Sequence, residues 1–493
     1  MDIKYILKLF GDQLTQRKER LLARGYHEGK QAVYLDDRLK EFLQIHPEVS
    51  FRLNIIQSIN NALRDEMSVK GFETDEPQGA KKQEEWAEKL WWDLRMDSIQ
   101  NRVHETVISE GEAFVIVDYD EQEKRPMMTF HRRYIEPTVS ITSSYGLTGD
   151  GQGCWLLYQN NDIDQKPIAA VKQWVESYQT DGGAFATRQR MTIYYPDRIE
   201  RYVMDVGGWQ PIIEPGKDFP IKWTDKSGQP LGIPVIHFKN ANFTPESWEA
   251  IPIQDAINKT LVDILGAADL TGFPIFKIFG FYPTTDGKAL ASDKSNQIKV
   301  QPGAFVGSAS KGPQEASLDV VPPSSVEPLM NTMIELILLA AQITNTPTSR
   351  FVVTKAIASA DTLKEQERGL IKKASHRRVI LGDAWEDAIR MARRLSNVFG
   401  GENMNESIVF QTQWKRSESE EIVENADELQ ELEKKKLIWD TVSAAYQSTN
   451  GAISPETILR DFGWDDDRLL QFGTQRLAWI KLMQEDTIPQ TGQ

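Results

Sequence analysis

The sequence predicts an α+β fold in which helices and a sheet of short antiparallel strands occupy successive parts of the chain. Three observations support this prediction. Apolar residues recur with helical spacing through most of residues 1–110, they alternate with a period of two from Gly111 onward, and helical spacing returns near residue 245. Turn-rich phrases such as Asp181-Gly-Gly separate the strands, which is typical of an antiparallel sheet.

The first 110 residues are predicted to be mostly helical. Gly25-Tyr-His-Glu-Gly29 and Asp75-Glu-Pro77-Gln-Gly79 interrupt the helical periodicity with residues that favour turns. The first ten residues carry charges through their apolar part, so they are expected to form an amphipathic helix and not a signal peptide. The predicted helices are 2–24, 49–67, 81–100 and 101–110.

From Gly111 the alternation predicts strands bounded by Gly-rich turns. Ala113-Phe-Val-Ile-Val-Asp-Tyr119 is the clearest of them, because β-branched and aromatic side chains suit a pleated surface. Gly149-Asp-Gly-Gln-Gly153 opens no helix and is predicted to be a turn. The predicted strands are 113–119, 127–131, 154–159, 169–177, 191–195, 198–204 and 235–238.

Two strongly apolar segments, 245–270 and 325–345, are predicted to form a helical hairpin around an insert of strand, Gly and Pro. From Ile253 to Leu265, aliphatic side chains recur at every fourth residue of the first segment. The second segment is apolar almost all round, so a partner helix would cover only one of its sides. Contact with neighbouring subunits is one interpretation, and an ordinary core helix of a large domain is the other. The strands predicted in the insert are 274–281, 298–300, 304–308 and 318–321.

The chain is predicted to continue with one long helix and a helical C-terminal part. Ser359 suits the N-cap of a helix 359–398, with Asp361 in its first turn. Ser454-Pro455-Glu456 has the capping serine and the first-turn proline of a helix start. The remaining predicted elements are a strand at 407–414 and helices at 418–447, 455–462 and 466–485.

Composition limits the classes of function. The 493 residues predict about three domains, and they carry a formal net charge of −15. That charge argues against a protein that coats nucleic acid through a broad basic surface, but it is compatible with one that lets DNA pass without sticking. The single cysteine, Cys154, excludes an intrachain disulfide framework and a cysteine-based metal site.

No motif for catalysis, cofactor binding or metal binding is complete. Gly25-Tyr-His-Glu-Gly29-Lys30-Gln31 comes nearest to a phosphate loop, but it is one residue short and lacks Ser or Thr after the lysine. The six histidines include no pair at metal-ligand spacing. Asp461-Phe462-Gly463 lacks the other elements of a kinase. The prediction is a protein that is not an enzyme and has no catalytic residues, cofactor or metal.

Six phrases of the sequence matter through their order and spacing. They are Arg24-Gly-Tyr-His-Glu-Gly29, Ile251-Pro-Ile-Gln-Asp-Ala-Ile-Asn-Lys-Thr260, Leu270-Thr-Gly-Phe-Pro274, Val300-Gln-Pro-Gly-Ala-Phe305, Ile343-Thr-Asn-Thr-Pro347 and Ala358-Ser-Ala-Asp-Thr-Leu-Lys-Glu-Gln-Glu-Arg-Gly-Leu-Ile-Lys-Lys-Ala374. In this order the sequence resembles the portal proteins of tailed bacteriophages, the ring-shaped head-to-tail connectors of siphovirus type. The resemblance covers residues 20–400 and is most specific over 245–400.

The resemblance implies a portal-type fold with a wing, a stem, a clip and a crown. The α/β wing would combine N-terminal helices and antiparallel strands, the stem would be the helical hairpin, and the clip would be small and β-rich. The implied parts are the wing at 1–244, stem helix 1 at 245–270, the clip at 271–324, stem helix 2 at 325–345, a channel loop at 346–358, the long bent helix and strand of the wing at 359–414, and the helical crown at 415–493.

The resemblance also implies a function and partners. A portal protein would form a ring, here of twelve subunits, at one capsid vertex through which double-stranded DNA is packaged and ejected without sequence specificity. It would dock the terminase large subunit and a head-completion or tail adaptor, contact the major capsid protein and scaffold, and need no membrane. Its location would be the virion, and the host cytoplasm during assembly. A connector or baseplate ring of a phage is the second interpretation, and a metal-dependent nuclease is the third.

Three groups of residues are the candidate sites under this interpretation. Cations of the channel loop would meet DNA phosphates, and solvated loop charges or an intersubunit salt bridge are the alternatives. A basic patch on the long helix is expected to pair with acidic residues near 418–433 of an adjacent subunit. The candidates are Thr348, Ser349, Arg350 and Lys355 for the DNA-channel loop, Ile257, Leu261, Leu265, Met333, Leu336 and Ile337 for oligomer packing of the stem, and Lys372, Lys373, Arg377 and Arg378 for the basic patch.

Overall fold

The structure is a computed structural model. It describes residues 17–31, 52–77, 81–135, 153–159, 165–180, 183, 185–205, 208–213, 218–272, 276–279, 284–285, 288–289, 305–308, 317–320, 325–351, 360–448, 454–462 and 464–485. The chain divides into two compact units, which are Met1–Ala358 with Glu365–Ser417 and Ser359–Lys364 with Glu418–Gln493.

Helices begin the first unit, and local signals set their ends. Asn54 caps the second helix, because its side-chain oxygen accepts a hydrogen bond from the N–H of Gln57. Gly111 ends the fourth helix with a φ of +93°, and a Cβ there would lie 2.4 Å from the carbonyl oxygen of Phe243, so glycine is required. The helices as far as residue 395 are α1 (Arg17–His27), α2 (Ile55–Asp65), α3 (Lys82–Asp93), α4 (Met96–Glu110), α5 (Ile251–Gly272), α6 (Glu327–Thr344) and α7 (Ala360–Leu395).

The strands of the first unit belong to separate sheets. In chain order they are β1 (Val69–Thr74), β2 (Glu112–Asp120), β3 (Arg125–Arg132), β4 (Gly153–Tyr158), β5 (Pro167–Gln179), β6 (Phe185–Tyr194), β7 (Arg198–Asp205), β8 (Gly208–Pro211), β9 (Ile221–Lys222), β10 (Val235–Lys239), β11 (Phe276–Phe279), β12 (Thr284–Thr285), β13 (Lys288–Ala289), β14 (Phe305–Ser308), β15 (Ser317–Val320) and β16 (Phe410–Trp414). One antiparallel sheet has the order β10-β2-β3. A larger one runs from β4 to β8 in chain order with β9 beside β7, and β1 pairs with β16.

The main core lies where α4 and α7 pack against one face of the β10-β2-β3 sheet. Trp385 of α7 meets Phe238 of β10 with ring centroids 4.5 Å apart. Its indole N–H donates to Nε2 of His104 at 2.9 Å, and Nδ1 of His104 lies 2.8 Å from the carbonyl oxygen of Met67. The His104 ring is therefore neutral and donates from Nδ1. Burial lowers the pKa of His104 to about 4, since the charged form would lose its hydration.

The larger sheet contributes to two cores, because successive side chains of a strand point to opposite faces. Cys154 and Leu156 of β4, with Ala170 of β5, face the main core. Trp155 and Leu157, the alternate residues of β4, belong to a second cluster. The other buried members of that cluster are Ala169, Val171, Met191, Ile193, Tyr195 and Tyr202.

Short strands lie between α5 and α6, the two helices of the hairpin. β11 is the central strand of a small sheet in which it pairs in parallel with β14 and antiparallel with β15. β12 and β13 form a separate antiparallel pair. The predicted strands 274–281, 304–308 and 318–321 correspond to β11, β14 and β15, and the predicted strand 298–300 lies outside the described residues.

The second unit contains the helices α8 (Glu418–Ser448), α9 (Pro455–Asp461) and α10 (Asp466–Glu485). Ser454 caps α9 as predicted, because its side chain accepts a hydrogen bond from the N–H of Thr457. A small core of Val442, Ile458, Leu459 and Leu469 holds these helices together, and the rings of Trp439, Trp464 and Phe472 contact one another beside it.

The predicted mixture of helices with antiparallel strands is confirmed, and two errors have local causes. The helix expected at 49–67 starts only at Ile55, because residues 52–54 are extended and Asn54 caps the helix. β6 begins at Phe185 instead of residue 191, because the polar run Thr187-Arg-Gln-Arg190 hides the alternation. β1 was not predicted, and its pairing partner β16 lies at the far end of the first unit.

Candidate functional site

The candidate site consists of the helical hairpin, α5 and α6, and of the parts of α1 and α2 that pack against it. We call the end of the hairpin that α1 and α2 contact its base. α5 and α6 pack against each other, and Ile257 and Ile337 are buried at their contact with the base. Ala23 and Tyr26 of α1, with Ile56 of α2, belong to the same apolar cluster. Among the predicted stem residues, Met333 and Leu336 are partly buried against this cluster, and Leu261 and Leu265 are partly buried on α5.

Polar side chains of α5 fasten the hairpin to the extended segment before α2. Gln254 accepts a hydrogen bond from the N–H of Ile55 at 2.8 Å and donates to the carbonyl oxygen of Leu53 at 2.5 Å. Asn258, one turn later, accepts from the N–H of Leu53 at 3.0 Å. The side chains of these two residues form hydrogen bonds with the main chain of an extended segment, as a neighbouring strand would. Main-chain groups that burial would otherwise leave unpaired are therefore satisfied.

A further polar contact lies at the same place. The hydroxyl of Tyr26 donates to the carboxylate of Asp255 at 2.7 Å. Burial and this carboxylate both raise the pKa of Tyr26 well above its ordinary value, because the phenolate would be poorly solvated and repelled. Tyr26 therefore remains a hydrogen-bond donor, and α1 is tied to the first turns of α5.

The face of α6 that points away from the base leaves large aliphatic side chains in contact with solvent. Ile337, Ala340, Ala341 and Thr344 are its buried residues. On the opposite side, Ile334, Leu338, Leu339 and Ile343 are between 38% and 46% exposed, and Met330, near the start of α6 on the side of Ile337, is 48% exposed. A soluble single chain seldom exposes so many large apolar side chains on one helix, so an uncovered patch of this kind marks an interaction surface.

The exposed side of α6 is divided by a narrow polar stripe. At about 100° per residue, Asn331, Glu335 and Gln342 align opposite the buried face. Leu338 and Ile334 flank this stripe on one side, and Leu339 and Ile343 flank it on the other. The sequence pattern suggested a helix without a polar face, whereas the structure shows two apolar flanks separated by polar residues.

The channel loop is described only at its start. Asn345 ends α6 in the left-handed conformation, and Thr348–Arg350 forms a 3-10 turn. Thr348 is partly buried and Ser349 is exposed. A guanidinium nitrogen of Arg350 lies 3.9 Å from the carboxylate of Glu66, at the end of α2. Lys355, the other predicted cation of this loop, lies outside the described residues.

Residues of the predicted basic patch on α7 have partners within the chain. Lys373 and Arg377 both form ion pairs with Glu246, the first at an Nζ–Oε2 distance of 2.8 Å. Arg378 donates from two nitrogens to the carbonyl oxygen of Glu66, at 2.9 and 2.6 Å. Lys372 is exposed. The patch therefore fastens α7 to the segment before α5 and to the end of α2, and its pairing with another subunit stays a prediction.

Glu246 and Glu66 are central to these contacts, and neither residue was predicted from the sequence. Burial raises the pKa of Glu246, but the Lys373 charge and the hydrogen bonds from Arg377 and Lys373 outweigh that effect and lower it overall. Gln254 and Asn258 were also missed. Their signal was visible, because the two amides lie one turn apart and therefore on the same side of the helix.

The described residues offer little for metal or membrane chemistry. Within the described ranges, no group of three or more His, Cys, Asp or Glu side chains is arranged to hold a metal ion. None of the described helices combines the length and the apolar character that crossing a bilayer requires. What the site does provide is a hairpin fixed at its base and uncovered along one helix.

Two comparisons with known proteins bear on this site. A family model described as phage portal protein, SPP1 Gp6-like, matches residues 53–489. A protein named portal protein from Mycobacterium phage D29 is 23% identical over 317 residues, which cover 62% of this chain. The match spans 57% of the length of that relative.

Proposed function

The chain belongs to the family of phage portal proteins of the SPP1 Gp6-like type, and from this we propose that its copies form a ring around a channel for double-stranded DNA. The resemblance to phage portal proteins is thereby confirmed. Portal proteins are structural components of the virion, and no catalytic step is assigned to this chain. The ring number of twelve is part of the proposal.

The single observation that carries the proposal is the uncovered side of α6. A closed ring uses heterologous contacts, in which two different surfaces of each subunit meet its two neighbours. The flank with Ile334 and Leu338 and the flank with Leu339 and Ile343 are two such surfaces, separated by the polar stripe. Burying the remaining exposed part of these four side chains, about 40% of each, would contribute about 0.8 kcal/mol apiece, or ~3 kcal/mol per subunit.

We assign the parts of the fold to those of a portal. Residues 1–244 and 359–414 form the wing, α5 and α6 lie in the stem segments 245–270 and 325–345, and 271–324 forms the clip. Residues 346–358 form the channel loop, and the crown is 415–493. The stem residues Ile257, Leu261, Leu265, Met333, Leu336 and Ile337 were predicted to pack between subunits. Because Ile257 and Ile337 are buried in a cluster within the chain, we propose instead that this set holds the hairpin together and keeps the outer flanks of α6 oriented toward the neighbours.

In this ring the channel would be acidic with a few cations. Each subunit has a formal charge of −15, and Glu335 lies in the polar stripe of α6, which we place toward the channel. A surface of one sign keeps the DNA mobile, because phosphates are repelled and not gripped. Thr348, Ser349, Arg350 and Lys355 of the channel loop would make transient contacts with the DNA backbone.

The partners belong to the same proposal. The clip and its surroundings would dock the terminase large subunit and the head-completion or tail adaptor, and the wing would meet the major capsid protein and scaffold. Lys372 is exposed on α7 and is the member of the basic patch, which also includes Lys373, Arg377 and Arg378, that is best placed to reach an acidic residue of an adjacent subunit. Assembly in the host cytoplasm precedes incorporation at one vertex of the capsid.

The proposal is tested by Leu339→Asp, with Gln342→Glu as the matched control. Both changes add one negative charge to the exposed side of α6, but only the first lies on an apolar flank. In the ring Leu339→Asp would bury an unpaired carboxylate, at a cost of several kcal/mol per subunit. We expect light scattering and negative-stain images to show rings for the control and monomers for Leu339→Asp. The melting temperature of the dispersed chain, that is, of the monomer before assembly, should be the same in both variants. Rings of equal stability in both variants would refute the ring interface.

A further inference from the structure

One side chain of α7 contacts both the segment that enters the hairpin at its base and the segment that leaves it. Nζ of Lys373 lies 2.8 Å from Oε2 of Glu246 and donates to the carbonyl oxygen of Thr344 at 3.1 Å. Glu246 precedes α5, and Thr344 is the last residue of α6. Lys373 therefore joins the two segments through a single ammonium group.

The surroundings make this contact stronger than an ion pair at the surface. The side chain of Lys373 is 15% exposed and that of Glu246 is 6% exposed, so water and salt screen the charges only weakly. An ammonium group has three N–H donors, which allows it to bond the carboxylate and the carbonyl at the same time. Hydrogen bonds from a charged donor are also stronger than those between neutral groups.

Glu246 is held from two further directions. Its N–H donates to the carbonyl oxygen of Ile108 of α4 at 2.9 Å. Its Oε1 forms an ion pair with Arg377, one turn after Lys373 on α7. The carboxylate is therefore a fixed point of the first unit, and Lys373 holds the end of α6 against it.

The end of α6 is a place where a cation is favourable. The last carbonyl groups of a helix have no partner within the helix, and they carry the negative end of its dipole. Asn345 follows in the left-handed conformation with a φ of +52°, and the N–H of Thr346 donates to the carbonyl oxygen of Ala341 at 2.9 Å. The carbonyl of Thr344 is bonded by Lys373 instead, at the point where the chain turns into the channel loop.

α7 passes close to this turn. A Cβ built on Gly369 would lie 4.0 Å from the Cβ of Asn345. Gly369 lies one turn before Lys373, so both residues are on the same side of α7. That side of α7 therefore lies against the end of α6, and Lys373 reaches Thr344 from it.

A second contact lies further along the channel loop. The guanidinium of Arg350 is 3.9 Å from the carboxylate of Glu66, a distance too long for a hydrogen bond. This pair therefore restrains the loop less than the contact of Lys373 does. Because Arg350 follows Thr344 closely in the chain, the position of the end of α6 limits where Arg350 can lie.

We propose that Lys373 is the positioning residue of the channel loop. By holding the carbonyl end of α6 against Glu246, its ammonium group fixes the point from which residues 346–358 leave the hairpin, and with it the place of Arg350. The inference rests on the proposed function, which assigns this loop to the channel, whereas the contact itself lies within one subunit.

The test measures the distance between spin labels on the loop and on α7. Ser349→Cys and Asp383→Cys introduce labelling sites at exposed positions, and position 383 lies about 15 Å beyond Lys373 at 1.5 Å per residue. Cys154 is buried, and the chain without the two substitutions shows whether it takes up label. Dilution with unlabelled chain keeps each measured pair within one subunit, whether or not rings form.

Lys373→Met removes the ammonium group and keeps an unbranched side chain. We expect the distribution of label distances to widen at least about twofold, because the end of α6 loses its charge-assisted contact. Arg377→Met is the matched control. It removes the other cation that pairs with Glu246 but leaves the contact with Thr344 in place, so the distribution should stay as narrow as in the parent chain.

Glu246→Gln provides a second route to the same result. It keeps Lys373 but removes the carboxylate that orients the ammonium group, so the distribution should widen by a smaller factor. This variant keeps the proposal testable if circular dichroism shows that Lys373→Met does not fold. Unchanged distributions in Lys373→Met and Glu246→Gln, or equal widening in Lys373→Met and Arg377→Met, would overturn the proposal.

A second measurement asks whether Lys373 acts through the loop. Lys373→Met should reduce nuclease-protected DNA per capsid. Its combination with Arg350→Ala should retain about as much DNA as the weaker single variant, because the two changes affect one contact. Additive losses would contradict the inference. A widened label distribution with parental DNA retention in both single variants would uphold the positioning role and refute the proposed DNA contact of the loop, so the two failures are distinguishable.

Discussion

The two helices of the hairpin differ in what their side chains contact. α5 directs Gln254, Asp255 and Asn258 to other segments of its own chain, and each has a hydrogen-bond partner there. α6 buries one face and leaves Leu338 and Leu339 exposed at 43% and 46%. The contacts of α5 fix the hairpin within the subunit. The exposed apolar side chains of α6 need another surface to cover them. The hairpin therefore combines a fold contact with the surface that we propose as an assembly contact.

The largest expected effect separates the two faces of α6. Ile337 is 7% exposed in the base cluster, so Ile337→Asp would bury an unpaired carboxylate within the single chain, at a cost of about 4 kcal/mol. We expect a lower melting temperature for the dispersed chain, measured by circular dichroism, whereas Leu339→Asp should leave it unchanged. If both variants melt like the parent chain, the face that contains Ile337 is not part of the fold contact.

The contact made by α5 is expected to be worth somewhat less. Gln254→Leu keeps the side-chain volume but leaves the N–H of Ile55 and the carbonyl oxygen of Leu53 without partners, at a cost of about 2–3 kcal/mol. The matched control is Gln57→Leu, at an exposed position of α2. Chemical denaturation of the dispersed chain measures the difference. A loss no greater than that of the control would mean that water replaces the amide without cost.

Acid should weaken the contact between α7 and the segment before α5. The pKa of Glu246 lies below its ordinary value of 4.5 because Lys373 and Arg377 stabilise the carboxylate. The ion pairs therefore contribute fully above pH 4.5, and their contribution is lost as the pH falls toward the lowered pKa. Glu246→Gln removes this contribution at every pH, so its melting temperature should fall less than that of the parent chain between pH 5 and pH 3.

His104 provides the background against which that result is measured. Its pKa of about 4 lies below its ordinary value of 6.5, so the neutral ring contributes stability that is complete above pH 6.5 and is lost as the pH falls to about 4. The difference corresponds to about 3 kcal/mol. The parent chain and Glu246→Gln share this loss, so it cancels in their comparison. A parallel pH profile of both chains below pH 5 would contradict the role of Glu246.

Sequence periodicity predicted the hairpin but not the contacts that orient it. The apolar repeat from Ile253 to Leu265 is local, so it identifies α5 directly. The partners of Gln254 are main-chain groups 199 and 201 residues away, and no local pattern records which backbone an amide meets. Lys373 and Arg377 were recognised as a cluster, but their partner Glu246 depends on how α7 packs on the first unit. A charge pattern in the sequence predicts that cations will form ion pairs. Which acidic residue is the partner depends on the tertiary fold.

The smallest expected effect on stability concerns Arg350. This residue contacts Glu66 within the chain and is also a candidate for contact with DNA. Its guanidinium lies 3.9 Å from Glu66, and a partly exposed pair at that distance contributes less than about 1 kcal/mol. Arg350→Ala should therefore keep rings and melting temperature. If the residue contacts DNA phosphates, nuclease-protected DNA per capsid should decrease, and the decrease should depend on ionic strength because each phosphate contact releases counterions. Arg368→Ala, on the exposed side of α7 with Glu365 as its partner, is the control. Equal DNA retention in both variants at all salt concentrations would leave Arg350 with a fold contact alone and would move the DNA contact of the channel loop elsewhere.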